Sequence, residues 1–305
     1  MLYNNSMIYT CTTNPSLDYY LSLTNELIMG DTNRSEIEMY DAGGKGVNVS
    51  IVLNNFHIPN VALGFLGGFT KDFYLEFLKD YPNIQPLFTT IKDNTRINIK
   101  LMDSKYETGL NTRGPYISDD EFEKFKKRVT NIYRDDIFVL SGNIQDEIDD
   151  KMISLIHELS LDGVKVVLDT DKNVIDDCLD VKPFMVKLND HYFEDTSIEN
   201  IIAISKQMID KGVQNILYSS ANKPSFLFTK DLTLKCVNME NSLVNTTGSA
   251  DSMVAGFLYS VLRGADSKEA FKYAVAASLS TTHTNDLASK EKIEEEFVNV
   301  SIEEI

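Results

Sequence analysis

The stretch DEIDDKMISLIHELSLDGVKVVLDT, residues 146–170, decides the fold class. Its first part carries apolar residues at helical spacing and ends at Gly163, a residue type that adopts the left-handed conformation of a helix end at little cost. VKVVLDT follows at once. This short run is rich in β-branched residues and apolar on both faces, which predicts a strand covered by helices on both sides. A helix that leads directly into such a strand is typical of a parallel α/β sheet.

The same alternation continues in both directions along the chain. SDDEFEKFKKRVTNIY (118–133) predicts a helix with a serine cap and acidic residues in its first turn, and SIENIIAISKQMIDKG (197–212) predicts another that ends at a glycine. Short apolar runs predict further strands: MIYTCT (7–12), VALGFLG (61–67), DIFVLSG (136–142), PFMVKLN (183–189) and VQNILYS (213–219). The pattern predicts an α/β protein with a doubly wound, mainly parallel sheet.

Two segments depart from this alternation, at about residues 19–42 and 87–116. Both contain polar, alternating stretches, which predict half-exposed strands. We expect them to form a small second sheet over one edge of the main sheet, inserted in a single domain of residues 1–305. From about residue 250 onward the apolar spacing is helical.

Composition excludes several classes of function. The chain has 305 residues and a formal net charge of −17, which opposes general binding to nucleic acid or to an anionic membrane surface. The N-terminus lacks the pattern of a signal peptide, and no apolar run is long enough to span a bilayer. Three cysteines and four histidines show no metal-binding spacing. We expect a cytoplasmic protein without direct metal ligands of these types.

NTTGSADSMVAGF (245–257) places a single carboxylate, that of Asp251, at the start of a predicted helix. Two interpretations are open for this residue. An acidic residue stabilises a helix N-terminus by capping and by its interaction with the helix dipole. The same helix end presents unpaired backbone N–H groups, which is where a phosphate group binds.

DAGGKGVNVS (41–50) places Lys45 among glycines that let the backbone approach a ligand closely. The loop lacks the Ser/Thr of a Walker A motif and the full spacing of a dinucleotide-binding loop. A tight turn with a solvated lysine explains the stretch as well as a ligand loop does.

Two further stretches are candidates for ligand contacts. NPSLD (14–18) follows the first predicted strand, so Asp18 lies where open α/β sheets bind ligands, but the stretch taken alone favours an ordinary turn. NTRINIK (94–100) places Arg96, Asn98 and Lys100 on one face of a strand, because strand side chains alternate. That face would suit a phosphate or a sugar, and an exposed strand face would look the same.

Together, NPSLD, GGKGVNVS, GFLGGFT, TRINIK, VLDT, KPF and NTTGSADSMVAGF occur in an order that resembles the PfkB-type, ribokinase-like carbohydrate kinases. The resemblance covers about residues 7–300 and is strongest to the branch of 1-phosphofructokinases and tagatose-6-phosphate kinases. It implies a ribokinase-like three-layer α/β/α domain with a small β-sheet lid over the sugar. It also implies ATP and Mg²⁺ as cofactors and a ketose phosphate as substrate.

The resemblance implies a role for each matching position. The residues that match Gly248, Ser249 and Ala250 form an anion hole in this family, and the residue that matches Asp251 is the general base. The substrate side would comprise Asp18, Gly43, Gly44, Lys45, Asn48, Arg96, Asn98, Asn111, Ser141 and, in the lid, Arg34. The nucleotide side would comprise Lys187, Asn189, Ser219, Ala221, Thr246 and Gly248, with Asn189 reaching the metal through water.

The open edge of a lid sheet favours a homodimer.

Several nucleotide-side positions differ from the family pattern. Ala250 replaces a glycine of the anion hole, and Tyr192 stands where a glutamate helps to organise magnesium. Ala221 and Pro224 alter a glycine-containing turn, while SGNIQ (141–145) replaces SGSLP and NTRGP (111–115) replaces NGPGP. We expect a working kinase that converts fructose 1-phosphate to fructose 1,6-bisphosphate, or one that uses tagatose 6-phosphate. The alternative is a weakly active or silent sugar-phosphate-binding protein of the same fold.

Overall fold

A computed structural model describes residues 6–236, 247–284 and 286–305. Its strands are β1 Ile8–Thr12, β2 Ser16–Ser22, β3 Ile37–Gly43, β4 Asn60–Gly67, β5 Ile84–Pro86, β6 Thr89–Ile91, β7 Arg96–Met102, β8 Glu107–Leu110, β9 Ile137–Ser141, β10 Lys165–Asp169, β11 Met185–Leu188, β12 Asn215–Tyr218, β13 Phe226–Thr229, β14 Thr233–Cys236 and β15 Ile302–Glu304. Its α-helices are α1 Lys45–Asn55, α2 Gly68–Leu78, α3 Asp119–Val129, α4 Asp149–Leu161, α5 Lys172–Asp177, α6 Ile198–Asp210, α7 Ser249–Leu262, α8 Ser267–Thr282 and α9 Lys290–Phe297.

Within the described residues, the main sheet has eleven strands in the order β15-β14-β13-β12-β11-β10-β9-β1-β4-β5, with β6 also paired to β4. The central strands from β12 to β4 run parallel to their neighbours, whereas β13, β14 and β15 are antiparallel at one edge. All six strands predicted from apolar runs are present. The antiparallel edge was not predicted, because its strands are only three or four residues long.

Alternate residues of the central strands pack into different cores. In β9, Phe138 and Leu140 belong to the core on one face of the sheet, while Ile137 and Val139 belong to the core on the other. The first core includes residues of α3, α4 and α6, and the second includes residues of α1, α7 and α8. Burial on both faces explains why these strands are apolar throughout, and it confirms the three-layer α/β/α arrangement.

The stretch of residues 146–170 folds as the sequence predicts. Helix α4 ends at Leu161, Gly163 has a φ of +83°, and β10 begins two residues later. A side chain at Gly163 would be strained by this φ, so the glycine serves as the helix stop that its position predicted.

In the described part of the chain, the second sheet has four strands in the order β3-β2-β7-β8. Asp18 in β2 lies opposite Asp41 in β3 and Asn98 in β7, so these side chains share one face of the sheet. The predicted lid segments therefore hold the lid strands. Their limits differ, since β2 already starts at Ser16 and β6, within 87–116, pairs with β4 of the main sheet.

Candidate active site

The candidate residues meet where the parallel strands end at their carboxyl side. Ser141 ends β9, Asp169 ends β10, and Lys187 lies next to the last residue of β11. The starts of α1 and α7 reach the same region, because Asn48 of α1 contacts Asp251 of α7. Ligands of open α/β sheets bind at this side.

Asp251 is the third residue of α7 and is only 4% exposed. The side-chain amide of Asn48 donates a hydrogen bond of 2.7 Å to its Oδ2 atom. Burial raises the pKa of Asp251 to about 7, and the nearby Asp169 carboxylate contributes to this rise, while Lys45, Asn48 and Lys187 oppose the shift. A carboxyl group with this pKa is suited to accept a proton near neutral pH.

The N-cap of α7 is Gly248, with a φ of +77°. Ala250 lies inside the helix and is not among the described residues with positive φ. The methyl group of Ala250 therefore causes no backbone strain, although it stands where the family pattern has a glycine. Thr246 was predicted to contact the nucleotide and lies outside the described residues.

Two lysines and one aspartate surround this helix start. Lys45 Nζ lies 3.5 Å from Asp169 Oδ1, and this carboxylate raises the pKa of Lys45. Lys187 is 3% exposed and donates a hydrogen bond of 2.9 Å to the carbonyl oxygen of Leu188. Burial lowers the pKa of Lys187 to about 8. The two ammonium groups form a cationic centre beside the buried carboxylate of Asp251.

Asp169 is a site residue that the sequence interpretation did not assign. Its Oδ2 atom is buried and has no hydrogen-bond partner among the described residues. The available signal was its place as an acidic residue at the end of a strand predicted to be buried on both faces. Lys45 was expected to contact the substrate's own phosphate, and the structure places it next to Asp169 and the nucleotide-side residues.

The lid side fixes Asp18 firmly. Its Oδ1 atom accepts hydrogen bonds from Ser16 Oγ at 2.7 Å and from Asn98 Nδ2 at 3.0 Å. A Cβ atom at Gly43 would lie 2.6 Å from the Asp18 carboxylate, so only glycine fits there. The register of β2 with β3 and β7 therefore brings Asp18, Gly43 and Asn98 together.

Arg96 is held by the backbone of the loops below the lid. Its Nη1 atom donates to the carbonyl oxygen of Thr112 at 3.0 Å, and Nη2 donates to that of Asn14 at 2.9 Å. Its buried Nε atom has no partner among the described residues. Arg96 thus joins NPSLD to the residues after β8.

The remaining predicted substrate residues occupy different environments. Ser141 is buried, and its Oγ atom has no hydrogen-bond partner among the described residues. Asn111 Oδ1 accepts a hydrogen bond of 3.3 Å from Lys100 at the rim of the lid. Arg34 lies in the connection from β2 to β3, beyond the end of the lid farthest from Asp18, and the structure does not bring it to the site.

On the nucleotide side, Asp190 joins the ends of β11 and β12. It accepts hydrogen bonds from Tyr218 Oη at 2.5 Å, Ser220 Oγ at 2.6 Å and Lys223 Nζ at 2.7 Å. Burial would raise the pKa of Asp190, but these donors outweigh it and lower the pKa to about 2. The turn that carries Ala221 and Pro224 in place of glycines is therefore fixed by a carboxylate.

Asn189 and Tyr192 flank this carboxylate. Asn189 Oδ1 accepts a hydrogen bond of 2.9 Å from the backbone N–H of His191, so it caps the short 3₁₀ turn that follows. Tyr192 Oη hydrogen-bonds to Asp176 of α5. A cavity of about 350 Å³ lies beside these residues, lined by Lys45, Gly142, Asn143, Asp169, Thr170, Asp171, Lys172, Ile175, Lys187, Leu188, Asn189, His191 and Tyr192.

The described residues contain no group of three or more His, Cys, Asp or Glu side chains arranged to hold a metal ion. They also contain no helix with the length and apolarity needed to cross a membrane.

The family model of the pfkB family carbohydrate kinases matches residues 14–293. The chain belongs to the pfkB family. A 1-phosphofructokinase from Bacillus subtilis is 33% identical over 303 residues, which cover 97% of this chain and 99% of that protein. A D-tagatose-1-phosphate kinase from Bacillus licheniformis is 30% identical over 304 residues, with 97% and 99% coverage.

The crystal structure of phosphofructokinase-2 from Escherichia coli in complex with substrates and products superposes with a TM-score of 0.90. It shares 21% identity with this chain and covers 96% of it and 99% of its own length, so it establishes the fold. The ribokinase-like fold expected from the sequence is confirmed. So is the enzyme class, because pfkB proteins are carbohydrate kinases that phosphorylate a hydroxyl group.

Proposed function

We propose that this pfkB protein is an ATP-dependent ketose-phosphate kinase that converts fructose 1-phosphate to fructose 1,6-bisphosphate. The observation that carries the proposal is Asp251, a buried carboxyl group with a pKa near 7 at the N-terminus of a helix, beside two lysines. Relatives that cover nearly the whole chain are named as kinases of ketose phosphates. Residues 1–305 act in this proposal as one kinase domain with an inserted lid.

The chemical step follows from this arrangement. Asp251 removes the proton from the 6-hydroxyl group of the bound sugar, and the hydroxyl oxygen forms a bond to the terminal phosphorus of ATP. The bond from that phosphorus to the bridging oxygen breaks, and ADP leaves with the electron pair. The proton stays on Asp251 until it returns to solvent. Asn48 holds the carboxylate in place with its hydrogen bond of 2.7 Å.

The groups around Asp251 stabilise the negative charge of the phosphoryl group in transfer. Backbone N–H groups after Gly248 at the start of α7 form the proposed anion hole, since the N-terminus of a helix attracts negative charge. Lys45 and Lys187 add two positive charges. Charges that are already oriented toward the transition state supply most of the catalysis in phosphoryl transfer.

The residues present fit a magnesium ion in one respect. The unpartnered, buried Oδ2 atom of Asp169 is the type of ligand that Mg²⁺ prefers, and Asn189 would reach the ion through water. Bound there, Mg²⁺ would neutralise phosphate charge. Tyr192 supplies no carboxylate on its side of the cavity.

On the sugar side, we propose that Asp18 and Asn98 bind hydroxyl groups. Asp18 keeps one carboxylate oxygen, Oδ2, outside the hydrogen bonds described above. Arg96 and Ser141, each with a buried polar atom unpartnered in the described structure, would meet the substrate's own phosphate.

The function is tested by ADP release in a coupled assay with ATP and Mg²⁺. Fructose 1-phosphate, tagatose 6-phosphate, fructose 6-phosphate and unphosphorylated fructose are compared at equal concentration. We expect fructose 1-phosphate to give the highest kcat/KM and fructose to give negligible turnover. Absence of turnover with every sugar, in magnesium or manganese, would refute the kinase proposal, and sugar-phosphate binding without ATP binding would then support the non-catalytic alternative. None of the relatives named above favours that alternative.

The pH dependence of kcat/KM offers a direct check of the two perturbed groups. Asp251 must be deprotonated to act as a base, so the rate should rise with pH through about 7. Lys187 must be protonated to stabilise phosphate charge, so the rate should fall as pH passes about 8. We expect a narrow optimum between these values. Lys187→Arg should abolish the falling limb because a guanidinium stays charged, and a profile flat from pH 6 to 9 would refute both assignments.

We also propose that the protein is a homodimer formed through the lid. Ile37, Met39 and Met102 are 64%, 52% and 46% exposed and continue the face of the lid that carries Asp18. The lid strands β3 and β8 each have an open edge. A second copy would cover both features. Sedimentation should show a dimer at micromolar concentration that dissociates in Met39→Lys, and a monomeric wild type would refute the proposal.

A further inference from the structure

The nucleotide-side cavity is lined by more lysines than carboxylates, although the protein as a whole is strongly acidic. Its lining includes three lysines, Lys45, Lys172 and Lys187, and two aspartates, Asp169 and Asp171. The chain as a whole carries a net charge of −17. A local excess of positive charge is the feature that a polyphosphate requires, and Lys172 is the one of these lysines that has no role in the mechanism above.

Lys172 is held by two contacts at the start of α5. Its Nζ atom lies 2.9 Å from Asp176 Oδ2 and 4.1 Å from the centre of the Tyr192 ring. Tyr192 in turn hydrogen-bonds to the other oxygen of Asp176. The three side chains thus form a closed cluster, with the lysine fixed above the ring.

This cluster occupies the position where the family pattern has a glutamate. Tyr192 replaces the carboxylate with a neutral ring, and that ring carries an ammonium group on its face. This side of the cavity therefore carries an ammonium group, paired with Asp176, in place of a free carboxylate. An ordinary i,i+4 ion pair on a helix surface would explain the contact with Asp176 alone. It would not explain the contact with Tyr192, which comes from a different element.

We propose that Lys172 binds the phosphate chain of the nucleotide. The inference rests on the proposed function, because it takes ATP as the phosphate donor. The side chain of Lys172 is 46% exposed and lines the cavity. Asp176 and Tyr192 orient this group in advance, which reduces the side-chain entropy lost on binding. Asp171 and Asp169 face the same cavity and limit the attraction, while Lys45 and Lys187 reinforce it.

The test measures nucleotide affinity by calorimetry, without sugar and therefore without turnover. Lys172→Met should weaken ATP binding about tenfold, the scale of one charge-assisted contact, and leave AMP binding unchanged. It should also reduce the salt dependence of ATP binding, and Lys172→Arg should restore most of the affinity. Lys272→Met is the matched control, since Lys272 also lies over an aromatic ring, 4.5 Å from the centre of Phe297, and does not line the cavity.

A second measurement tests whether Tyr192 positions the ammonium group of Lys172. Tyr192→Phe keeps the ring and removes the hydroxyl bond to Asp176, so ATP affinity should fall by about threefold. Equal ATP affinity of Lys172→Met and wild type would overturn the inference and leave the proposed function intact. Equal weakening of ATP and AMP would also overturn it, because it would show a general change of the site. A wild type that binds neither nucleotide would refute the proposed function itself.

Discussion

Asp251→Asn is expected to lower kcat by at least about 100-fold and to leave sugar-phosphate affinity within about twofold. The amide keeps the shape of the side chain and cannot accept the proton of the attacking hydroxyl group. The Asn48 amide that contacts it at 2.7 Å can still reach the new carbonyl oxygen, so the site should stay in place. Pre-steady-state ADP formation with fructose 1-phosphate measures the chemical step, and calorimetry measures sugar binding.

Stability provides the control for this variant. The folded-state pKa of Asp251, about 7, lies above its ordinary value of 3.8, so the folded protein favours the protonated form. The stability that the fold gains from this preference is complete below pH 3.8 and is lost as pH rises through about 7. At pH 8 the buried carboxylate therefore destabilises the fold, and Asp251→Asn, whose amide is neutral, should have a Tm equal to or higher than that of the wild type.

A matched substitution separates chemistry from structure. Asp136 is also buried, at the opposite end of the sheet, and accepts hydrogen bonds from the backbone N–H groups of Met7 and Tyr133 at 2.9 and 3.0 Å. Asp136→Asn should lower Tm and leave kcat nearly unchanged. An unchanged kcat in Asp251→Asn would remove this residue from the mechanism.

The sequence predicted the features that local periodicity determines. Helix α4, the stop at Gly163 and strand β10 follow from spacing within 25 residues, and each is present. Alternation along β7 predicted that Arg96 and Asn98 share a face, and the register with β2 places Asn98 against Asp18. Burial on both faces of the central strands was visible because those strands are apolar throughout.

The sequence could not predict contacts between distant segments. Lys45 and Asp169 are 124 positions apart, and only the closed fold places their side chains 3.5 Å from each other. No sequence motif marks Asp190. Its carboxylate nevertheless fixes the turn in which other residues replace the glycines of the family pattern. Those replacements had indicated a weakened nucleotide site. The effect of Ala250 also depended on a backbone angle, and the structure assigns the positive φ to Gly248 instead.

Lys187→Met is expected to lower kcat by about 100- to 1,000-fold, the range found when one preorganised donor to a developing negative charge is removed. Lys187 is 3% exposed, so its charge acts where solvent screens little. Methionine keeps the length and apolar volume of the side chain, and the loss should therefore appear in kcat more than in the KM of the sugar phosphate. Since Lys187 lowers the pKa of Asp251, the rising limb of the pH profile should also move to higher pH.

Two measurements distinguish this loss from unfolding. Methionine removes the desolvation cost of the buried ammonium group, but it also removes a counter-charge of Asp169 and Asp251. The Tm of Lys187→Met should therefore fall by no more than a few degrees when it is measured below pH 7, where Asp251 is protonated. Lys165→Met, at the other end of the neighbouring strand β10, removes a half-buried lysine far from Asp251 and should keep the wild-type kcat. A kcat of Lys187→Met within about threefold of wild type would show that Lys45 and the start of α7 stabilise the transferred phosphoryl group without Lys187. In that case the falling limb expected above pH 8 should also be missing from the wild-type profile, because the same ammonium group is responsible for both effects.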